Sequence, residues 1–513
     1  MPLVSTADID TLISTYYYDL PLLKKLDRYR NGKHDTPFIP RHANDEYRLI
    51  TSRCYTNFMG TAVTIPKQTL FVDGFRSTVG TNEPAKAADG PEWAAWQRSR
   101  MDSIQSAIYD GAFTFGYSMV AVSRDRKSGK SRMRGVSALR SSAIYDDPAN
   151  DIVPRAAIEI HSDEDYRSQH GQELIIPGRA TVYGPTHTEE IEFTESRSGV
   201  GAYSIKRISA VPHGASECPI TRFPASLDLE GRCVGIIEPL IPLQDRINQS
   251  IHDLLIGQVY TSHQVRTATG MTGMVKQELV YDRDLEGNIV FDDDGHPVIL
   301  ETRDMIDESG RPVLADTKLN AATMLVSEDK DTKFGVLPGA PLDGFIKSIE
   351  MSLKHFATLS STPPQYMMGS ITNISADALQ AADIALKRKV DLFKVVFGEC
   401  WERVANVAAE IDGFDAHDEQ LETLWRDMDG QSFARMADAL LKLKELNVPA
   451  QGLWGMIPGI TAAQLAQWQE LIDEDPDQIL ATAMAKGAQA VTPDGPDRNQ
   501  TDSTNANADP ELE

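Results

Sequence analysis

Two stretches decide the fold: Glu238-Pro-Leu-Ile-Pro-Leu-Gln-Asp-Arg-Ile-Asn-Gln-Ser-Ile-His-Asp-Leu-Leu-Ile256 and Leu342-Asp-Gly-Phe-Ile-Lys-Ser-Ile-Glu-Met-Ser-Leu-Lys-His-Phe-Ala-Thr-Leu359. In the first, Leu240, Leu243, Ile247, Ile251 and Leu254 recur at steps of three or four, the spacing of one helix face. Pro239 and Pro242 fall in its opening turn, where a missing N–H costs little. In the second, Leu342, Phe345, Ile349, Leu353 and Phe356 repeat the design. Each predicts an amphipathic helix roughly 28 Å long at ~1.5 Å per residue. Between them, glycines 270, 273, 287, 295 and 310 punctuate β-prone pieces such as Asn288–Phe291 and Pro297–Glu301, a β-rich excursion carried on two helical legs. Residues 281–331 hold 14 Asp/Glu against 5 Lys/Arg, a net charge of −9, so that excursion presents an acidic surface.

Outward from the second leg, Pro363-Pro364 stops the helix, and Ser375, a good N-cap with Asp377 in the first turn, starts another that reaches about Asp412. Leu379, Ala382, Leu386, Val390, Phe393, Phe397, Trp401, Val404, Ala408 and Ile411 form its unbroken apolar stripe. Ser432–Leu446 and Thr461–Ile472 read as further helices, the latter with a capping box from Thr461 and Gln464 and a staple from Ile460 and Leu465. The final segment, Pro493–Glu513, carries six acids against Arg498 and few apolar anchors, the composition of a disordered tail.

Toward the N-terminus, helical spacing runs over Thr6–Arg30, from about Asn44 to Ala62, and over Pro91–Ala112. Strand-like Tyr117–Val122, Ile152–His161, Arg179–Tyr183, Glu190–Phe193 and Tyr203–Ile208 follow. The fold class is therefore α+β. No internal repeat of fixed period is visible.

Across all 513 residues, 50 Lys+Arg against 75 Asp+Glu leave a formal charge of −25, which excludes wrapping of nucleic acid by a broad basic face. The hydrophobic share of 41% excludes global disorder. Cys54, Cys218, Cys233 and Cys400 lie too far apart for zinc spacing and are too few for a disulfide scaffold, so they read as buried thiols. Met1–Asp10 lacks a signal-peptide pattern and no run approaches ~18 apolar residues, so a soluble, cytoplasmically made protein with no membrane partner is expected.

Enzymatic motifs are weak. Gly129-Lys130-Ser131 has the end of a phosphate loop, but Arg124 stands where its first glycine belongs, and a charged hairpin turn is the better reading. Asp282, Asp284, Glu286, Gly287 and Asp293 match EF-hand positions, yet strand-like flanks favour an acidic hairpin. No HExxH or GxSxG occurs, so no catalytic residue, metal ligand or cofactor is assigned. Lys387, Arg388 and Lys389, with Asp383 and Asp391 beside them, read as a solvated face or a phosphate contact.

The order of local features resembles the portal proteins of tailed bacteriophages over nearly the whole chain. Tyr29-Arg30-Asn31-Gly32, Leu70-Phe71-Val72-Asp73-Gly74-Phe75 and the segment 91–122 are similar to that family's N-terminal and wing markers. Glu238–Asn248 looks like the start of its first stem helix. Thr362-Pro-Pro-Gln-Tyr-Met-Met-Gly369, followed by Asn373-Ile-Ser-Ala-Asp-Ala-Leu379, resembles its tunnel loop running into its long helix, and Trp425 to Leu443 its crown approach.

The resemblance implies an elongated subunit with a mixed wing over 1–236 and a first stem helix over 237–258. A β-rich, acidic clip (259–341), a second stem helix (342–360) and a tunnel loop (361–374) would follow. The long tunnel helix (375–413), a helical crown (414–475) and an acidic tail (476–513) would complete it. It further implies a ring of about twelve copies at one capsid vertex of the virion, assembled in the host cytoplasm around a channel for double-stranded DNA. Implied partners are the terminase large subunit, the major capsid and scaffolding proteins and a head-tail adaptor. Gln365, Tyr366, Met367, Met368 and Asn373 become the residues nearest DNA; Lys347, Lys354, Lys387, Arg388 and Lys389 become candidates for DNA or intersubunit contact. A DNA-processing enzyme of the packaging apparatus and a capsid-associated scaffold are the alternatives.

Overall fold

The structure is a computed structural model. It describes residues 3–39, 45–76, 90–169, 172–196, 203–262, 266–269, 276–284, 287–292, 295–307, 310–313, 331–336, 341–369, 376–414, 420–426 and 433–446, with 453–454, 457, 464 and 468.

The chain begins with α1 (Thr6–Arg30), α2 (Asp45–Thr51), α3 (Phe58–Gln68), β1 (Val72–Arg76), α4 (Pro91–Arg98) and α5 (Met101–Phe115). Strands β2 (Tyr117–Arg124), β3 (Ser131–Val136), β4 (Ser141–Ile144), β5 (Ala156–Ser162), β6 (Asp165–Gln169) and β7 (Gln172–Ile176) come next. After them run β8 (Gly178–Tyr183), β9 (His187–Glu195), β10 (Tyr203–Pro212) and β11 (Ile220–Pro224). The legs are α6 (Ile241–Ser262) and α7 (Asp343–Ser360), enclosing β12 (Arg266–Thr269), β13 (Gln277–Tyr281), β14 (Ile299–Asp304) and β15 (Lys333–Val336). Finally come α8 (Gln365–Met368), α9 (Ala376–Ile411), β16 (Glu422–Trp425) and α10 (Phe433–Glu445). The described residues fall into two compact units, one drawn from 1–24, 64–235 and 387–513, the other from 25–63 and 236–386.

In the first unit, a five-stranded antiparallel sheet of order β10-β9-β8-β5-β4 and a three-stranded sheet of order β11-β2-β3 carry the core. The α1 stripe of Ile9, Leu12, Ile13, Tyr16 and Leu20 packs on Ile158, Ile160, Val182, Ile191 and Phe193 of the larger sheet. From Val390 onward the stripe of α9 is buried as its spacing predicts. Its rings meet those of α4, α5 and β11: Trp401 lies 4.7 Å from Trp96 and 4.6 Å from Phe223, and Phe393 lies 4.6 Å from Phe113. The Trp401 Nε1–H donates to Tyr109 Oη at 2.8 Å, so even its polar edge is satisfied. All four cysteines are free; three are buried and Cys233 is half-buried.

Several boundaries differ from the sequence reading. The helix expected over Asn44–Ala62 is two, α2 and α3, because Asn57 caps a fresh start: its Oδ1 accepts the Gly60 N–H at 3.0 Å. Pro91–Ala112 is likewise broken, since Arg100 adopts φ 57° and Asp102 opens the next helix while accepting from Trp96 and Gln97. Trp425 lies in a strand rather than a helical approach: β16 pairs antiparallel with β1, Val72 opposite Trp425. That pairing joins segments some 350 residues apart (425 − 72 = 353), which no local pattern encodes.

In the second unit, the legs appear where expected but are buried unevenly. Leu240, Leu243 and Ile247 of the first and Leu353 and Phe356 of the second are buried, whereas Ile251, Leu254, Phe345 and Ile349 are half-buried. At Gly257 a β-carbon would come within 3.0 Å of Leu342 Cδ2.

The excursion between the legs contains a repeat after all. Asp282–Ile289, Val290–Pro297 and Met305–Pro312 share an Asp at the third position and a Gly at the sixth. In each, the Asp carboxylate accepts the backbone N–H four residues on: Asn288 at 2.9 Å, His296 at 2.8 Å and Arg311 at 2.9 Å. Gly287, Gly295 and Gly310 follow at φ 88°, 83° and 78°, which only glycine adopts cheaply. The turns build a three-cornered hydrogen-bond ring: Asp282 N–H to Val298 O, Val298 N–H to Val290 O and Val290 N–H to Asp282 O, each 2.8 Å. Lys276, Met305 and Val313 form a second ring at 2.7–2.8 Å, and the paired β13 and β14 connect the two. The match was missed because two residues in eight is a weak signal among so many acids.

Candidate functional site

The segment between the legs and the long helix starts where α7 ends: Ser361 takes φ 54°, and the Thr362 N–H bonds back to Ala357 O at 3.0 Å. Pro363 and Pro364 then launch a short helical turn rather than a plain loop. Pro364 O accepts from Met367 and Met368, both at 3.0 Å, and Gly369 at φ 64° closes the turn. Gln365, Tyr366, Met367 and Met368 therefore stand together on one helical turn. Tyr366 is 51% exposed, while Gln365, Met367 and Met368 are half-buried. Asn373 lies outside the described residues.

Between Ser361 and Ala376 the sequence holds no acid, but folding supplies one. Asp383 of α9 accepts from Gln365 Nε2 at 3.4 Å. Burial, followed by the Asp383 charge, raises the Tyr366 phenol above its ordinary value and keeps it neutral. The turn is therefore uncharged, with one carboxylate beside it.

The sequence-selected cations separate into two kinds. Lys347 and Lys354, seven residues apart on α7, are exposed, as are Lys387 and Arg388 on α9. Lys389 is different: it is half-buried, its Nζ lies 6.0 Å from the Phe393 ring, and burial pushes its pKa down to about 8. Of the three consecutive cations it is the one turned toward its own helix's packing face.

Gly129-Lys130-Ser131 sits in the β2–β3 hairpin, as the spacing suggested. Its backbone donors are already used: Gly129 N–H reaches Asp125 O at 2.9 Å and Ser128 N–H reaches Asp125 Oδ2 at 3.0 Å. A phosphate cradle needs those N–H groups free. Asp284, an EF-hand candidate, is spent on its own turn. Among the described residues no group of three or more His, Cys, Asp or Glu is placed to hold a metal ion. Nor is any described helix long and apolar enough to cross a membrane.

Sequence reasoning missed a polar seam along α6. Gln244, Asn248 and His252, at steps of four, are all buried, and they face residues of 29–58. Hydrophobic periodicity skips such residues by construction, although three polar side chains in one i, i+4 ladder beside an apolar stripe were a legible sign.

The sequence pattern of the family described as phage portal protein, SPP1 Gp6-like, matches residues 9–478. The portal protein of Mycobacterium phage L5 is 25% identical over 392 residues, covering 72% of this chain and 68% of that one. The portal protein of Mycobacterium phage D29 is 26% identical over 384 residues, covering 72% and 69%.

Proposed function

Because the chain belongs to the phage portal protein family of the SPP1 Gp6-like kind, we propose that its subunits close into a ring of about twelve around a passage for double-stranded DNA. The family is structural rather than enzymatic and its members are components of the virion capsid. One observation carries the ring reading. Ile346 (45%), Met351 (53%) and Leu359 (67%) on α7, with Leu392 (62%) and Val395 (65%) on α9, stay exposed on helices whose other faces are packed. Helices apolar on two sides are covered on both when they work. Head-to-tail neighbours supply that second cover in a closing ring.

On this reading the turn Gln365–Met368, with Tyr366 exposed, belongs to the segment nearest the DNA, with Asn373 beyond it. The chain's net charge of −25 keeps the passage from binding phosphates by counterion release, so DNA slides instead of sticking. Lys347, Lys354, Lys387 and Arg388 are placed on exposed faces, where they serve DNA or neighbour contacts. Terminase during packaging and a head-tail adaptor afterwards dock on the assembled ring.

Particle imaging with native mass measurement tests the proposal. Closed rings with a central hole wide enough for duplex DNA are expected; a stable monomer at micromolar concentration overturns it. Gln365→Asp combined with Asn373→Asp tests the site separately. Rings should form normally while DNA-filled heads become fewer, and undiminished packaging would remove these residues from the DNA path.

A further inference from the structure

His34 lies just beyond the end of α1 and is 7% exposed. Its Nε2 is 3.2 Å from Tyr29 O, and its Nδ1 is 3.0 Å from Asn248 Nδ2. A carbonyl only accepts, so Nε2 carries the hydrogen and Nδ1 must accept from the Asn248 amide. Asn248 Oδ1 in turn accepts from Gln244 Nε2 at 3.0 Å. Gln244 Nε2 also donates to Thr56 O at 2.8 Å, and its Oε1 accepts the Phe58 N–H at 3.2 Å. Four bonds thus run with a single polarity, from the Phe58 N–H through Gln244, Asn248 and His34 to the Tyr29 carbonyl. Gln244 and Asn248 are fully buried, so no water relaxes the direction of the chain.

We propose that this chain is a proton-sensitive latch, in which protonation of His34 reverses the Asn248 and Gln244 amides and frees the Thr56–Phe58 start of α3 from α6. The argument is one of donors and acceptors. An imidazolium places a second N–H, at Nδ1, against the Asn248 amide nitrogen. Turning that amide over offers its oxygen to His34 but brings its nitrogen against Gln244 Nε2. Turning Gln244 over as well sets its nitrogen against the Phe58 N–H and its oxygen against the Thr56 carbonyl. No arrangement satisfies every member, so the mismatch is expelled at one end, where the Phe58 N–H and the Thr56 carbonyl lose Gln244 and keep only the 3.2 Å bond between them.

The surroundings of His34 set when this happens. Rings of Tyr29 and Tyr55 lie 5.1 and 6.2 Å away. Burial disfavours the proton most strongly, while the Tyr29 carbonyl, Asp245 on α6, the Asn57 side chain and Asp35 favour it, leaving the pKa below the ordinary 6.5. Asp35 is itself engaged by Arg28 at 2.9 Å and Lys25 at 3.8 Å, and Asp245 by the Tyr29 hydroxyl at 2.7 Å. The latch is therefore closed at neutral pH and opens only as pH falls below the ordinary 6.5.

Hydrogen–deuterium exchange on the full-length assembled protein tests this between about pH 5 and 8. Exchange at the His34 ring C2 carbon reports its titration, and amide exchange in the peptide holding Phe58 reports the latch. His34 should titrate below 6.5. Over the same interval Phe58 protection, corrected for intrinsic rate, should fall about tenfold, the scale of one neutral hydrogen bond. Asn248→Asp offers acceptors to both Gln244 and protonated His34; it should move the His34 midpoint above 6.5 and keep Phe58 protected in acid. Unchanged Phe58 protection while His34 titrates overturns the latch, and so does a wild-type midpoint at or above the ordinary value. Because those wild-type measurements decide by themselves, failure of Asn248→Asp to assemble does not protect the proposal.

Discussion

The ring-packed core of the first unit and the polar seam of the second solve the same problem by opposite means. Around Trp401 the contacts are between Trp96, Phe223, Phe113, Phe393 and Phe397, nondirectional surfaces that gain from burial in many relative orientations. Along α6 the contacts are Gln244, Asn248 and His34, which gain little net free energy but are satisfied in one register only. The first holds its elements together; the second fixes the rotation of one helix against its neighbours. Fixed rotation would matter to the ring proposed above, since a turn of the helix would move every residue it presents.

The contrast is broken or sharpened by four measurements. Trp401→Ala removes one of the two fully buried tryptophan rings of the core and should lower stability by about 3–5 kcal/mol, read as a large fall in the thermal transition of the first unit. A fall near ~1 kcal/mol would mean that the core repacks freely. Asn248→Leu deletes only polar atoms yet strands His34 Nδ1 and one of the two Gln244 Nε2 hydrogens, the other staying on Thr56 O; about 2–3 kcal/mol is expected, read as loss of amide protection at Phe58. An apolar side chain tolerated there would show that the seam carries no specificity.

Acid should separate the two regions next. Burial lowers the His34 pKa, so its contribution is complete above 6.5 and is lost as pH falls from there toward the folded value. In the first unit, burial raises Glu159, but hydrogen bonds from Arg134 (2.7 Å) and Tyr183 (3.0 Å) outweigh it and leave the carboxyl below its ordinary 4.5. That contribution is present above 4.5 and disappears only as pH falls through the still lower folded value. Between these limits exchange should rise at Phe58 and stay level at Glu159. Simultaneous rise at both would erase the distinction. The smallest effect belongs to Asp284→Ala in the excursion, which loses the turn-closing bonds from Asn288 N–H at 2.9 Å and Asn288 Nδ2 at 3.4 Å; about 1 kcal/mol is expected, read in amide exchange at Asn288.

How much could be read in advance follows the same division. Apolar stripes announced α1, α7 and α9 nearly to the residue, and α6 with its end six residues short, because burial on one helix face repeats at a period the sequence displays. The break at Arg100 was hidden, since the cause lies in two side chains reaching Asp102 rather than in a Gly or Pro. At the candidate site, the residues Gln365–Met368 were found but not their helical turn, and Asp383 could not be placed beside Gln365 without the fold. The polar seam escaped because a search for hydrophobic period reads a buried glutamine as a surface residue.

The hydrogen-bonded rings at the two ends of the β13–β14 ribbon have a bearing on heredity. Chain enters the ribbon at Lys276 and leaves it at Val313, and those residues are bonded to each other at 2.7 Å. Whatever lies between them begins and ends at one point, so its replacement by a longer, shorter or unrelated segment leaves the flanking backbone where it was. A segment joined at these two residues can therefore be exchanged as a single piece. Its ends mark where a lineage would join a foreign segment without rebuilding the helices that carry it.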